Sequence, residues 1–377
     1  MRNEEYGTNN AAVRVENLRR VTKLLYRHGA LTRQNIAETL KISLPTVNNL
    51  IHILSDEGLI YFQNSAMPST GGRIPALVSF RYDKALSVGI AILDTEYRIV
   101  MIDLQGNVVA LESFDLDFDV KEEYWNEIND RLCEMLNEHQ IPRERILGVG
   151  IAVPGPVFRH TGSFDSWLLN LKEFSFQKLE SIFGFPIFVE NDANAAGFAE
   201  IWMRPDLQDA VLLFVSRDLG GSIIRDRKIV HGDNSLTGEF GHMIIVPNGR
   251  RCLCGRKGCL DRYCSLAIIQ EHCPKGVAAF FEEKDTDPEL NAYWKQYVEY
   301  LCIALTNITN AMDKPLIIGG ELSEYLAPCF DEIKECFGRM DSFRRDVSSM
   351  CKLSKFGRNS AAIGVALFPV NEYLHIE

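Results

Sequence analysis

The chain is 377 residues long with a formal net charge of −11. At 46% hydrophobic and 24% charged residues it has the composition of an ordinary globular protein, not of a disordered, fibrous or generally polyanion-binding one. Its length accommodates two or three domains, each with an ample core. No apolar run approaches the roughly 18 residues of a membrane-spanning helix, and the polar start MRNEEYGTNN lacks a signal-peptide core, so a cytoplasmic location is expected.

The charge is uneven. Residues 1–83 hold 10 Lys and Arg against 7 Asp and Glu, a net of +3, while the remainder holds 30 against 44, a net of −14. A mildly basic head (1–83) on an acidic body (84–377) fits a small nucleic-acid-binding domain joined to a ligand-binding one.

In the head, Val15, Leu18, Val21, Leu24 and Leu25 recur at helical spacing, which predicts a helix over Val13–Arg27 that ends at Gly29. Thr32 caps a second helix, with Ile36, Ala37 and Leu40 on its inner face. After a break at Lys41–Ser43, Ser43 caps a third helix with Pro45 in its first turn, where a missing N–H costs nothing. Val47, Leu50, Ile51 and Leu54 form its buried stripe and leave Thr46, Asn48, Asn49 and His52 outward. Such short hydrogen-bonding side chains suit base edges in a major groove. Two strand-like segments, Leu59–Gln63 and Ala76–Phe80, complete a winged helix-turn-helix, with Arg73 placed by Gly71 and Gly72 at the wing tip for a minor groove or a phosphate. The candidate DNA-binding residues are therefore Pro45, Thr46, Asn48, Asn49 and Arg73, with operator DNA as partner. The alternative is a three-helix bundle that only mediates protein contacts.

In the body, Leu86–Leu111 and Ala210–Gly232 share one organisation, apolar strands broken by short turns. Helical stretches follow at Val120–His139, Ala193–Met203, Pro288–Met312 and Ser360–Phe368. A repeated strand-rich unit alternating with helices implies an α/β body of two similar lobes with a cleft between them. Four segments carry chemistry. Ile151–Val157 is an apolar strand ending in Pro-Gly-Pro. A strand at Pro186–Val189 delivers Asn191 and Asp192 to a helix start, where they either hold vicinal hydroxyls or simply cap the helix.

The third segment, Gly238–Arg262, contains His242, Cys252, Cys254 and Cys259 within eighteen residues. One imidazole and three thiolates are the donors of a closed tetrahedral Zn²⁺ site, and Gly255 and Gly258 allow the tight turn between Cys254 and Cys259. The other seven cysteines are scattered through apolar segments, as buried thiols in a reducing compartment would be. A histidine that ligates metal through one nitrogen keeps the other for a second partner. The fourth, Leu316–Leu326, is a buried strand running into Gly319-Gly320, which permits close approach of a nucleotide or of another helix.

Together these residues resemble the ROK family of sugar kinases and sugar-responsive repressors. ENDANAA, GEFGH, CxCGxxGCLD and IIGG stand in family order and spacing, and the GGR wing looks like that of the repressor branch, the xylose and N-acetylglucosamine repressor type. The resemblance implies a winged helix-turn-helix followed by a two-lobed actin-like ATPase body. It implies that Asn191, Asp192, Glu239, His242 and Asp261 bind a sugar or sugar-phosphate effector, Asp192 standing where the kinases have their catalytic base and Asp261 where the family usually has Glu. It also implies that His242, Cys252, Cys254 and Cys259 hold a structural zinc.

Family kinases carry a phosphate-binding D-x-G-G-T, but the matching segment here reads Ala91-Ile92-Leu93-Asp94-Thr95. The second phosphate loop, G-T-G-x-G-G in the kinases, reads Ser216-Arg217-Asp218-Leu219-Gly220-Gly221. Phosphoryl transfer needs backbone N–H groups and metal around the phosphates, whereas Leu93 is bulky and Asp94 and Asp218 would repel a polyphosphate. The expectation is a homodimeric or homotetrameric transcriptional repressor of carbohydrate genes without kinase activity. The alternatives are an ATP-dependent sugar kinase and a regulator whose effector is a protein.

Overall fold

The computed structural model describes residues 4–63, 76–343 and 345–376. Helix α1 (Glu4–His28) starts nine residues earlier than the apolar period indicates and ends at Gly29, whose φ of 71° breaks it. Val21 and Leu25 are buried, but Val13 and Val15 are half exposed. A two-residue strand β1 (Leu31–Thr32) leads into α2 (Arg33–Leu40), and Thr32 caps α2 with the side-chain exchange of a capping box. In α3 (Leu44–Asp56) Ser43 is the N-cap, and Val47, Leu50, Ile51 and Leu54 are buried. The wing strands β2 (Ile60–Gln63) and β3 (Leu77–Phe80) pair antiparallel, Ile60 opposite Phe80, and β1 joins the far edge of β3. The wing-tip residues Gly71, Gly72 and Arg73 lie outside the described residues.

The body repeats one sheet twice. In the first lobe β4 (Leu86–Ile92), β5 (Glu96–Asp103) and β6 (Val108–Asp115) form an antiparallel meander. After α4 (Glu122–Glu138), β7 (Ile146–Val153) pairs parallel to β4. A small three-stranded flap then follows, β8 (Val157–Phe158), β9 (Ser163–Ser166) and β10 (Leu171–Ser175). Beyond α5 (Leu179–Phe183), β11 (Ile187–Asn191) closes the order β11-β7-β4-β5-β6. The second lobe follows α6 (Asp192–Met203) with the meander β12 (Ala210–Val215), β13 (Leu219–Arg225) and β14 (Lys228–Ile229). Helices α7 (Asp261–Cys264), α8 (Leu266–His272), α9 (Val277–Glu283) and α10 (Pro288–Met312) lead to the parallel strand β15 (Leu316–Gly319). Then α11 (Ser323–Leu326), α12 (Phe330–Met340) and α13 (Val347–Met350) lead to β16 (Cys351–Leu353), giving β14-β13-β12-β15-β16. Two sheets of identical order and direction make a two-lobed α/β body.

The last helix, α14 (Ser360–Leu374), returns to the first lobe and packs on β4, β7 and α6. The approach is close because Gly364 meets the Ala195 carbonyl, where a Cβ would stand 1.8 Å away. Residues Ala193–Trp202 of α6 are all buried, so this helix is wrapped on every side. Its far end reaches the head. The Trp202 indole N–H donates to the Tyr26 hydroxyl (2.9 Å), which itself donates to the Leu104 carbonyl (3.0 Å), and Lys23 donates to the carbonyl of Ile376 (2.6 Å). One apolar cluster therefore runs from Val21 and Leu25 of the head to Trp202, Leu367 and Leu374 of the body.

Candidate functional site

A cleft between the lobes collects most of the residues singled out by sequence. Strand β11 ends at Asn191, which caps α6: its Oδ1 accepts from the Asn194 N–H (3.0 Å) and its Nδ2 donates to Gly155 O and to Asp192 Oδ1 (both 3.1 Å). Capping is thus what the Asn191 side chain does, and in doing so it orients the neighbouring carboxylate. Asp192 Oδ1 also accepts from the Ala193 N–H (2.8 Å), and its side chain lines the cleft. Beneath both, the buried Glu190 accepts from Arg159 (2.5 Å), the Asn191 N–H (2.9 Å) and Asn194 (3.2 Å), and bonds His231 at 2.9 Å. Burial opposes its ionisation, but the His231 hydrogen bond and the charges of His231 and Arg159 outweigh that and hold the carboxyl below its ordinary range.

The opposite wall comes from the second lobe. Glu239, His242 and Asp261 all line the cleft, joined by Asp218 at the turn into β13. Asp261 Oδ1 accepts from the Leu219 backbone N–H (3.0 Å), which fixes the orientation of this shorter side chain. Burial raises the pKa of Asp192, Glu239 and Asp261, with Asp218 adding repulsion at Asp192. Burial, and after it the charge of Asp261, pushes Asp218 up to about 7. Four carboxylates crowd one desolvated space, and a ligand that donates hydrogen bonds would relieve them.

His242 sits between the cleft and the cysteine cluster. Its Nδ1 lies 3.6 Å from Cys252 Sγ, and its Nε2 lies 3.8 Å from Glu239 Oε2. The donor atoms of His242, Cys252, Cys254 and Cys259 all fall within 4.8 Å of one another, and the Cys254 and Cys259 sulfurs are 3.7 Å apart. A tetrahedron with metal–sulfur bonds near 2.3 Å has edges of about 3.7 Å, so the His242–Cys252 and Cys254–Cys259 separations already match one and the four donors together could hold a metal ion. Gly255 and Gly258, at φ of 87° and 84°, make the turn that brings the sulfurs together.

Sequence reasoning missed part of the wall. Trp167, just after β9, is 47% exposed in the cleft and meets the His242 ring edge-on, with centroids 4.9 Å apart at 89°. Leu253, between two of the cysteines, is 66% exposed at the same mouth. The signal for Trp167 in the sequence was weak, because it stands beside Leu168 and Leu169 and reads as core.

The segments around Asp94 and Arg217 also meet. Arg217 Nε binds Asp94 Oδ2 at 2.9 Å across the lobes, so Asp94 is not the free repelling charge that sequence implies. Nearby, the buried Arg98 of β5 pairs with Glu96 and with Glu321 (3.4 Å), and Arg358 pairs with Glu321 (3.3 Å) and Glu324 (3.3 Å).

In the head, Pro45, Asn48 and Asn49 are exposed at the start of α3. Thr46 is half-buried, and its hydroxyl bonds Ser43 Oγ (2.8 Å) as part of the cap. His52 is exposed and bonds Asp56 (3.0 Å). Among the described residues no helix is long and apolar enough to cross a membrane.

The sequence profile of the ROK family matches residues 87–371, and that of the MarR family matches residues 20–66. The chain is 24% identical over 387 residues to the xylose repressor of Bacillus spizizenii, covering 97% of each. It is 25% identical over 261 residues to the DNA-binding transcriptional dual regulator NagC of Escherichia coli, covering 67% of this chain and 63% of that one. Among solved structures, it resembles a ROK family transcriptional regulator homologous to the E. coli MLC protein, with a TM-score of 0.78, 20% identity and coverage of 97% and 98%. It also resembles a ROK family glucokinase from Streptomyces griseus in complex with glucose and AMPPNP, with a TM-score of 0.63, 21% identity and coverage of 75% and 98%.

Proposed function

Because this chain belongs to the ROK family, we propose that it is a sequence-specific transcriptional repressor of carbohydrate genes, released from its operator by a sugar or sugar derivative. The repressor name of its Bacillus spizizenii relative, matched over 97% of each chain, and the MarR-type match in the head support this reading. The observation that carries it is α6, which begins in the cleft at Asp192 and ends at Trp202 on the Tyr26 hydroxyl of the head. A change at the cleft has a rigid path of about 15 Å to the DNA-binding domain.

In this reading residues 1–83 form the DNA-binding head and 84–377 the effector body. Pro45, Thr46, Asn48 and Asn49 face the operator, Thr46 chiefly by shaping the helix start, and Arg73 reaches from the wing. Asp192, Glu239 and Asp261 accept the effector's hydroxyl hydrogens and His242 donates its Nε2–H to an effector oxygen, while Asn191 fixes Asp192 and keeps one acceptor lone pair for a hydroxyl. Zinc is the metal that one imidazole and three thiolates select, and its part is structural: it ties the loop that carries Glu239 and His242. Two heads are required for half-site spacing, so the working unit is a homodimer or homotetramer.

The body does not transfer phosphate in this reading. Where a kinase needs open glycine loops around the nucleotide, Asp94 and Arg217 neutralise each other. Operator fragments titrated with and without a panel of sugars test the proposal. A loss of operator affinity of about 10-fold or more with one sugar is expected, and an operator affinity that no sugar alters would overturn it.

A further inference from the structure

Resting on the reading of the cleft as the effector site, we infer that the effector is an unphosphorylated sugar and that the cleft rejects sugar phosphates. Its walls present four carboxylates, Asp192, Asp218, Glu239 and Asp261, and no lysine or arginine among the described residues that line it. A phosphate ester is held by charge-assisted hydrogen bonds from Arg or Lys, or by free backbone N–H groups at a helix start. Neither is on offer.

The neighbouring arginines are engaged or set back. Arg159 binds Glu190 at 2.5 Å and Arg217 binds Asp94 at 2.9 Å, while Arg256 stands outside the lining. The start of α6 points at the cleft, but its first N–H groups are taken. Ala193 N–H goes to Asp192 Oδ1 (2.8 Å) and Asn194 N–H to Asn191 Oδ1 (3.0 Å). A divalent metal on three thiolates and one neutral imidazole would carry a net negative charge, so the loaded cluster behind His242 adds to the repulsion.

What the cleft does offer suits an uncharged polyol. Carboxylates are acceptors only, and sugar hydroxyls supply the donors they lack. The exposed Trp167 ring and Leu253 give the apolar C–H face of a pyranose a surface that a phosphate group cannot use. An amino sugar fits the same logic, since its ammonium group is a donor with a favourable charge.

Calorimetric titration of the full chain with matched probes tests this: xylose, glucose and N-acetylglucosamine, each beside its phosphate ester, and glucosamine. The parent sugar that binds is expected to do so about 100-fold more tightly than its ester, with glucosamine at least as tight as glucose. Asp218→Asn is expected to narrow the ratio by about 10-fold, through a gain in ester affinity. An ester that binds as tightly as its parent, or more so, overturns the inference while leaving the sugar-sensing proposal in place. Binding by none of the probes overturns the sugar-sensing proposal itself.

Discussion

His242 shows how much one side chain can be asked to do. Its Nδ1 faces Cys252 and its Nε2 faces Glu239, so cysteine cluster and cleft share one imidazole, and Trp167 packs edge-on against the same ring. Fixing Nδ1 on a metal would fix the tautomer and aim Nε2–H into the cleft. Replacing a sulfur ligand therefore reaches further than the cluster. Cys254→Ser is expected to lose the bound metal by elemental analysis, where the parent holds about one zinc per chain, and to lower the thermal midpoint because metal binding contributes folding energy. Sugar affinity should fall with it. A Cys254→Ser protein that keeps both its metal content and its melting temperature would show that the cluster is not a metal site.

At the scale of elements, the parts legible in the sequence were those with a local period. The third head helix and its Ser43 cap, the two meanders and the Pro288–Met312 helix follow from apolar spacing and capping residues alone. The flap was not legible, because β8, β9 and β10 have only two, four and five residues and are defined by pairing with one another. The helical stretch expected over Ser360–Phe368 stops just before Pro369, whereas α14 runs to Leu374. In the fold the helix continues, and the Val365 carbonyl that Pro369 cannot serve lies against Gly150, where no Cβ intervenes. The site divides in the same way. The motif residues reach one cleft, but the link from cleft to head depends on Trp202 meeting Tyr26, 176 positions apart in the chain, which no local pattern encodes. Trp202→Phe keeps an aromatic ring and removes the N–H that serves the Tyr26 hydroxyl and the Gln105 carbonyl. If α6 carries the signal, sugar affinity should stay within about twofold of the parent, while the sugar-induced loss of operator affinity shrinks by about 5-fold or more. An unchanged response in the operator titration would remove α6 from the pathway.

For the whole molecule, what matters is how two similar lobes stay in register. In a kinase of this architecture phosphates and metal would occupy the space between the two loops. Here Asp94 comes from one loop and Arg217 from the other, and Arg98, Glu321 and Arg358 continue the bridge behind them. Asp94 and Arg217 thus make a charged contact between the lobes. The pair is partly exposed, 44% at Arg217 and 22% at Asp94, so its strength is on the order of 1 kcal/mol and sensitive to salt. That is enough to bias a balanced opening without locking it. Reversing one charge, Arg217→Asp, places like charges face to face and should widen the cleft, seen as a larger radius of gyration by small-angle scattering at low salt and as weaker sugar binding. The exchanged pair Asp94→Arg with Arg217→Asp should recover both, and raising the salt to about 1 M should erase the difference between the variants, since the screening length there is about 3 Å. If the single reversal leaves scattering and sugar affinity unchanged, the lobes are held by packing around α6 and α14 alone, and the ion pair is incidental to the switch.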